Sequence, residues 1–139
     1  ERVLDVGCGS GLFFCEVSAK AEMTVGVDVS RKFLREAKKQ AAPAKNVAVI
    51  QADADYLPFK NGVFGGVFAF TVLQNMPNPA NTLSELKRVT RSGGKIAVTG
   101  LKKAFTLQKF MDIVEDSGMT VTAFIDDEAL NCYIAVLAA

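Results

Sequence analysis

The chain has 139 residues, 50% hydrophobic and 22% charged, a balance that belongs to a folded domain and not to a disordered segment. Its 16 basic and 15 acidic residues leave a net charge of +1, so bulk charge calls for no polyanionic partner. There is no histidine, which excludes Ser-His-Asp chemistry and histidine-ligated metals within this chain.

The three cysteines, Cys8, Cys15 and Cys132, lack metal-type spacing, and an odd number of thiols fits a reducing cytoplasm. The longest apolar runs, such as Tyr133 to Ala139, are far too short to span a bilayer, so no membrane partner is expected. The length fits a single domain over residues 1–139. The chain opens on Glu1 and not on Met, so further residues are expected upstream. Nothing in the composition specifies an oligomeric state.

In chain order, Val3 to Val6 reads as a short strand with one acid, buried on both faces as a central parallel strand would be. Gly7, Gly9 and Gly11 follow at alternate positions, and Gly11 to Lys20 reads as a first helix. Met23 to Val27 is an apolar strand with Asp28 at its carboxyl end. Ser30 is a suitable N-cap for a helix from Arg31 to about Ala42, which Pro43 helps to stop. Leu34, Ala37 and Ala41 share one face of it, with Phe33 beside them, and Arg31, Lys32, Arg35, Lys38 and Lys39 cover the others. That basic run reads as a solvated face. Nucleic-acid binding is disfavoured, because no aromatic stripe interleaves with it.

Val47 to Gln51 is a third strand, and Val63 to Phe70 a fourth, central one, weakened by Gly65 and Gly66. The loop Thr71 to Pro79 carries two prolines and three amides. A helix should begin at Asn81 or Thr82 and run to about Arg91, with Ser92-Gly93-Gly94 ending it as a glycine C-cap. Lys95 to Thr99 is the fifth strand and Thr106 to Ser117 a helix. Met119 to Ile125 and Asn131 to Leu137 are joined by a short polar link, so they should pair antiparallel.

A strand that turns through glycines into a helix N-terminus is a nucleotide-binding device, since the turn lets a ligand approach the backbone. An ordinary strand–helix turn is the plainer alternative. The dinucleotide fingerprint G-x-G-x-x-G/A would need a small residue at position 12, where Leu12 stands. The pattern here is G-x-G-x-G preceded by Asp5. It resembles motif I of the class I S-adenosylmethionine-dependent methyltransferases. Further stretches resemble the same family in the same order: Val25-Gly26-Val27-Asp28, Asp53-Ala54-Asp55-Tyr56-Leu57-Pro58-Phe59, Val72-Leu73-Gln74-Asn75 and Arg88-Val89-Thr90-Arg91-Ser92-Gly93-Gly94. Together they cover nearly the whole chain. The resemblance implies an α/β fold with a Rossmann-like, doubly wound, seven-stranded sheet of order 3-2-1-4-5-7-6. That sheet is mostly parallel, with the last strand antiparallel.

The resemblance also implies S-adenosylmethionine as cofactor and S-adenosylhomocysteine as product. Asp5 would orient the methionine ammonium, while Gly7, Cys8, Gly9 and Gly11 let the cofactor lie on the backbone. Asp28, 21 residues after Gly7, has the spacing of an acid that accepts from ribose hydroxyls. Asp53 would accept from the adenine amino group, with the Ala54 N–H facing a ring nitrogen. Val29, Leu57 and Tyr56 would wall the adenine, although core packing would account for them equally. Phe70, at the end of the fourth strand, completes the expected cofactor contacts.

The implied reaction is methyl transfer by in-line displacement to a small-molecule acceptor, in which the protein supplies alignment and excludes water. Gln74 and Asn75 stand where the family often carries histidines, and Gly65 where an Asp is usual. Amides position an acceptor but take no proton, so the acceptor is expected to be already acidic, an amine or a thiol. A base from Asp126, Asp127 or Glu128 is the other option, against the plainer reading of those three as a solvated turn. No N-P-P-Y-like tetrad follows the fourth strand, which disfavours methylation of DNA base amines. The acceptor is expected in a cleft between the loop Thr71 to Asn78, the segment Gly100 to Phe105 and the turn Asp126 to Glu128. The alternatives are an S-adenosylmethionine-binding domain or partner subunit without its own chemistry and, last because of Leu12, a nucleotide-dependent oxidoreductase.

Overall fold

Apolar residues flanked by glycine place β1 (Arg2–Val6) at the centre of the sheet, with Leu4 and Val6 fully buried. In the computed structural model, which describes residues 1–139, β1 runs parallel between β2 (Met23–Asp28) and β4 (Phe64–Ala69). Outside β2 lies β3 (Val47–Gln51), and outside β4 lies β5 (Thr90–Leu101), both parallel to their neighbours. The chain closes with β6 (Thr120–Ile125) and β7 (Cys132–Ala138), and β7 inserts antiparallel between β5 and β6. The order is therefore β3-β2-β1-β4-β5-β7-β6, with only β7 reversed, as the family resemblance implies.

Two hydrophobic clusters form on the sheet. The larger packs Val25, Val27, Val67, Ile96 and Leu137 against α3 (Pro79–Val89) and α4 (Leu107–Asp116), through Leu83, Leu86, Phe110 and Val114. The smaller joins Cys8 and Phe14 to Leu34, Ala37 and Ala41 of α2 (Arg31–Ala41). Strand alternation separates them: Gly26 faces away from Val25 and Val27, and the ring of Phe14 occupies the space its missing side chain leaves. Ser30 caps α2 as expected, its Oγ accepting from the Phe33 N–H at 3.2 Å.

Three element boundaries differ from expectation. The first helix, α1, is only Phe14–Ser18, because the residues before it are spent on the glycine turn. Helix α3 starts earlier than Asn81: Asn78 Oδ1 accepts from the Ala80 N–H at 3.2 Å, and Pro79 takes a first-turn position that needs no donor. Ser92-Gly93-Gly94 is not its cap. The helix ends at Val89, and Thr90 is already extended and pairs with Phe64 on β4. Residues 91–94 then bulge out of β5 before Lys95 pairs with Gly66. The Gly93 and Gly94 backbones bond to Ala139 at the end of β7, so a long-range pairing displaces the local cap.

The close approach of Phe14 to β2 gives a test. A Cβ at position 26 would overlap the ring, so Gly26→Ala should lower stability by about 1–3 kcal/mol. The denaturant midpoint reports it, and the second change Phe14→Leu should return part of the loss.

Candidate functional site

The carboxyl end of β2 builds the glycine turn. The Gly7 and Cys8 N–H groups both donate to the Val27 carbonyl, at 2.8 and 2.9 Å. The Asp28 carboxylate then takes the Gly9 N–H on Oδ2 and the Ser30 N–H on Oδ1, each at 2.9 Å. Gly9 adopts φ +54 with open space where a Cβ would project, so the turn presents bare backbone. Gly11 serves packing instead. At φ +85 its missing side chain clears Phe14 Cδ2, which a Cβ would meet at 2.6 Å. It does not line the cleft above the turn.

Asp5 stands in register between Gly26 of β2 and Phe68 of β4, and neither side chain can donate to it. Only 3% exposed, its carboxylate keeps Oδ2 without a hydrogen-bond partner. Burial first, and the nearby Asp28 charge second, push the Asp5 carboxyl up to about 7. The Cys8 thiol is pushed up to about 12 by burial, then by Asp5 and Asp28, so it is not a nucleophile.

The segment after β3 carries Asp53 and Ala54, whose shape is fixed from α3. Asp53 Oδ1 accepts from the Asp55 N–H at 2.9 Å. Asp55 accepts from the Thr82 hydroxyl at 2.6 Å, and Glu85 accepts from the Leu57 N–H at 2.6 Å. Arg88 donates to the carbonyls of Phe59 and Leu57 at 2.7 and 3.0 Å, to Asn61 Oδ1 at 3.0 Å, and to Glu85. The Arg88 hydrogen bond holds the Glu85 carboxyl below its ordinary range, and Glu85 in turn raises Arg88. The motif around Arg88 carries no signal of this clamp, because its acceptors lie some thirty residues earlier, at Leu57 and Phe59.

After β4 the chain turns through Thr71, a β-branched residue at φ +61, in the strained left-handed region. Its N–H donates to the buried Thr99 hydroxyl at 2.8 Å, and its carbonyl accepts from Asn75 Nδ2 at 3.2 Å. A short 3₁₀ turn over Leu73–Asn75 then sends the two amides apart.

A cleft of about 820 Å³ opens above these strand ends. Asp5, Gly7, Cys8, Gly9, Asp28, Val29, Asp53, Ala54, Phe70 and Asn75 all line it. Leu57 is buried in the larger core, Tyr56 stands exposed outside the lining, and Gln74 turns inward with Oε1 buried and unpartnered. The segment Gly100 to Phe105 and the turn Asp126 to Glu128 do not line it either. Lys102 ties these two to each other, bonding Asp126 Oδ1 at 3.1 Å and the Asp127 carbonyl at 2.8 Å. β7 inserts between their strands and carries the turn away from β4.

A parallel sheet whose strand ends hold a glycine turn and acidic side chains defines a nucleotide-cofactor-binding α/β domain. A family profile described as a methyltransferase domain matches residues 4–98, and the chain belongs to that family, the class I S-adenosylmethionine-dependent methyltransferases. The methyltransferase GfsG of Streptomyces halstedii is 29% identical, over 98% of this chain and 50% of that protein. A demethylmenaquinone methyltransferase of Clavibacter sepedonicus is 33% identical, over 70% of this chain and 40% of that protein. A tRNA U34 carboxymethyltransferase of Pseudoalteromonas atlantica is 36% identical, over 71% and 31%. The chain spans half or less of the length of these relatives. In fold it matches a methyltransferase from Aquifex aeolicus with a TM-score of 0.87 at 20% identity, over 98% of this chain and 80% of that one.

Two expectations follow. The folded value for Asp5 lies above its ordinary 3.8, so between about pH 4 and 7 the folded protein keeps a proton that the unfolded chain has lost. The ionisation-linked cost of burying Asp5 is thus absent below about pH 4 and grows to about 4 kcal/mol above pH 7. Asp5→Asn should raise the melting temperature at pH 8 and leave it nearly unchanged at pH 4; equal melting at pH 8 would mean the empty cleft solvates the carboxylate. Arg88→Leu should cost about 2–3 kcal/mol, since it strips charged hydrogen bonds from two carbonyls and Glu85. Amide exchange should then accelerate across residues 53–61 ahead of the sheet.

Proposed function

We propose that this chain binds S-adenosylmethionine in the cleft and transfers its methyl group to a small-molecule acceptor. The observation that carries the reading is Asp5, a buried carboxylate with an unpartnered oxygen in the wall of the cleft. An ammonium supplies the missing partner. The other lining residues fit the same cofactor: Asp28 keeps lone pairs beyond those used by Gly9 and Ser30, which suits a ribose diol. Asp53 offers an acceptor to an exocyclic amine, and Val29, Ala54 and Phe70 offer apolar surface.

Bound there, the cofactor supplies a methyl group already activated by a positive sulfur. What remains for the chain is orientation and exclusion of water. Asp5 fixes one end of the cofactor and Asp28 the middle, while the bare backbone of the glycine turn allows close contact. Asn75, on the β4 side, positions the acceptor, whereas Gln74 faces inward. No helix is long and apolar enough to cross a membrane. The three unpaired thiols fit a reducing cytoplasm.

Isothermal titration with S-adenosylhomocysteine tests the cofactor reading, with NAD as the control that should not bind. Asp28→Ala should weaken binding by at least about 1.5–3 kcal/mol, since it removes hydrogen bonds to a charged group and also releases the Gly9 and Ser30 N–H groups that shape the turn. Because an ammonium pairs only with ionised Asp5, affinity should fall about tenfold per pH unit below pH 7. Asp5→Asn should bind weakly and lose that slope. An Asp5→Asn protein with the wild-type slope would take Asp5 out of the site.

A further inference from the structure

The cleft is electrically divided. Its three carboxylates, Asp5, Asp28 and Asp53, all come from the ends of β1, β2 and β3, and no lysine or arginine lines any part of it. The side facing β4 carries no charge: Phe13, Phe70, Met76 and Pro77 form its apolar surface, with Thr71 and Asn75 among them. Phe13 stands at 84° to Phe70, with ring centroids 5.5 Å apart, and at 86° to Phe68, at 6.0 Å. Two rings at right angles form a corner that a flat apolar ring fills by stacking on one and meeting the other edge-on.

The polar groups on this side are mostly spent within the protein. Thr71 gives its N–H to Thr99 and its hydroxyl proton to the Phe70 carbonyl, and Asn75 gives one amide proton to the Thr71 carbonyl. That leaves Asn75 Oδ1, which accepts from a ligand N–H or O–H, and one neutral amide proton on Nδ2. Beside S-adenosylhomocysteine, whose sulfur is neutral, an anion placed here would lose hydration and meet no lysine or arginine of this chain.

We infer that the β4 side of the cleft binds an uncharged, planar apolar acceptor carrying a hydrogen-bond donor, and rejects acceptors that present a phosphate or carboxylate. This rests on the proposed reading of the β1–β3 side as the cofactor site. Phosphate-rich acceptors, nucleic acid included, are disfavoured by the same charge pattern.

The test is calorimetry on protein saturated with S-adenosylhomocysteine, titrated at pH 7.5 (about neutral, where Asp5 is largely ionised) with 2-naphthol, 2-naphthoate and 2-naphthyl phosphate. The naphthol should bind at least about tenfold more tightly than either anion. Phe13→Ala should weaken naphthol about tenfold, with S-adenosylhomocysteine binding reporting that the variant is folded. Met76→Lys should reverse the order by recruiting the phosphate. Equal or tighter binding of an anion to the wild-type protein overturns the inference. So does the absence of binding by all three while S-adenosylhomocysteine binds. If S-adenosylhomocysteine itself fails to bind, the cofactor reading fails, and this inference falls with it.

Discussion

The end of β2 is the joint on which the site depends. Four backbone N–H groups from two separate stretches converge on adjacent residues there: Gly7 and Cys8 on the Val27 carbonyl, Gly9 and Ser30 on the Asp28 carboxylate. Each donor left unpaired out of water would cost about 1–3 kcal/mol, so the turn has one well-satisfied shape and poor alternatives. Ser30 then caps α2, whose buried Leu34, Ala37 and Ala41 close the smaller core over Phe14. On the proposed reading Asp28 would hold both the turn and the ligand, so a change there would disturb both.

Beside this saturated network sits a group that breaks the ordinary rule. Asp5 is enclosed by apolar neighbours, one of its oxygens is unpaired, and its nearest charge repels it. Such a violation marks a place where stability has been spent on function. The opposite arrangement holds in the segment after β3, where Arg88 and Glu85 satisfy both backbone groups of Leu57, the Phe59 carbonyl and Asn61 Oδ1. A well-bonded frame thus stands beside one unsatisfied carboxylate.

Where periodicity and capping act locally, the sequence suffices: Ser30, the buried face of α2 and the hairpin of β6 and β7 all stand as the residues indicate. The strand order follows from family resemblance, not from any pattern within single strands. What escapes is long-range. Ser92-Gly93-Gly94 has the composition of a helix stop, but Thr90 finds Phe64 and the glycines find Ala139. Thr71 gives no hint of a left-handed backbone, since its strain is held by Thr99, which is distant in the chain. Gln74 and Asn75 are adjacent and chemically alike, and only the 3₁₀ turn separates the one that faces the cleft.

The unpaired oxygen of Asp5 reaches beyond chemistry to the lifetime of the chain. On the proposed reading a cationic ligand would relieve the cost of that buried charge, so the empty protein would be the weaker form at neutral pH and saturation would stabilise it by mass action. Quality control in a cell acts on the unfolded fraction. Copies made when the methyl donor is scarce would be cleared faster than copies made when it is plentiful. The abundance of the protein would then follow the supply of what it binds, with no regulator other than one buried carboxylate.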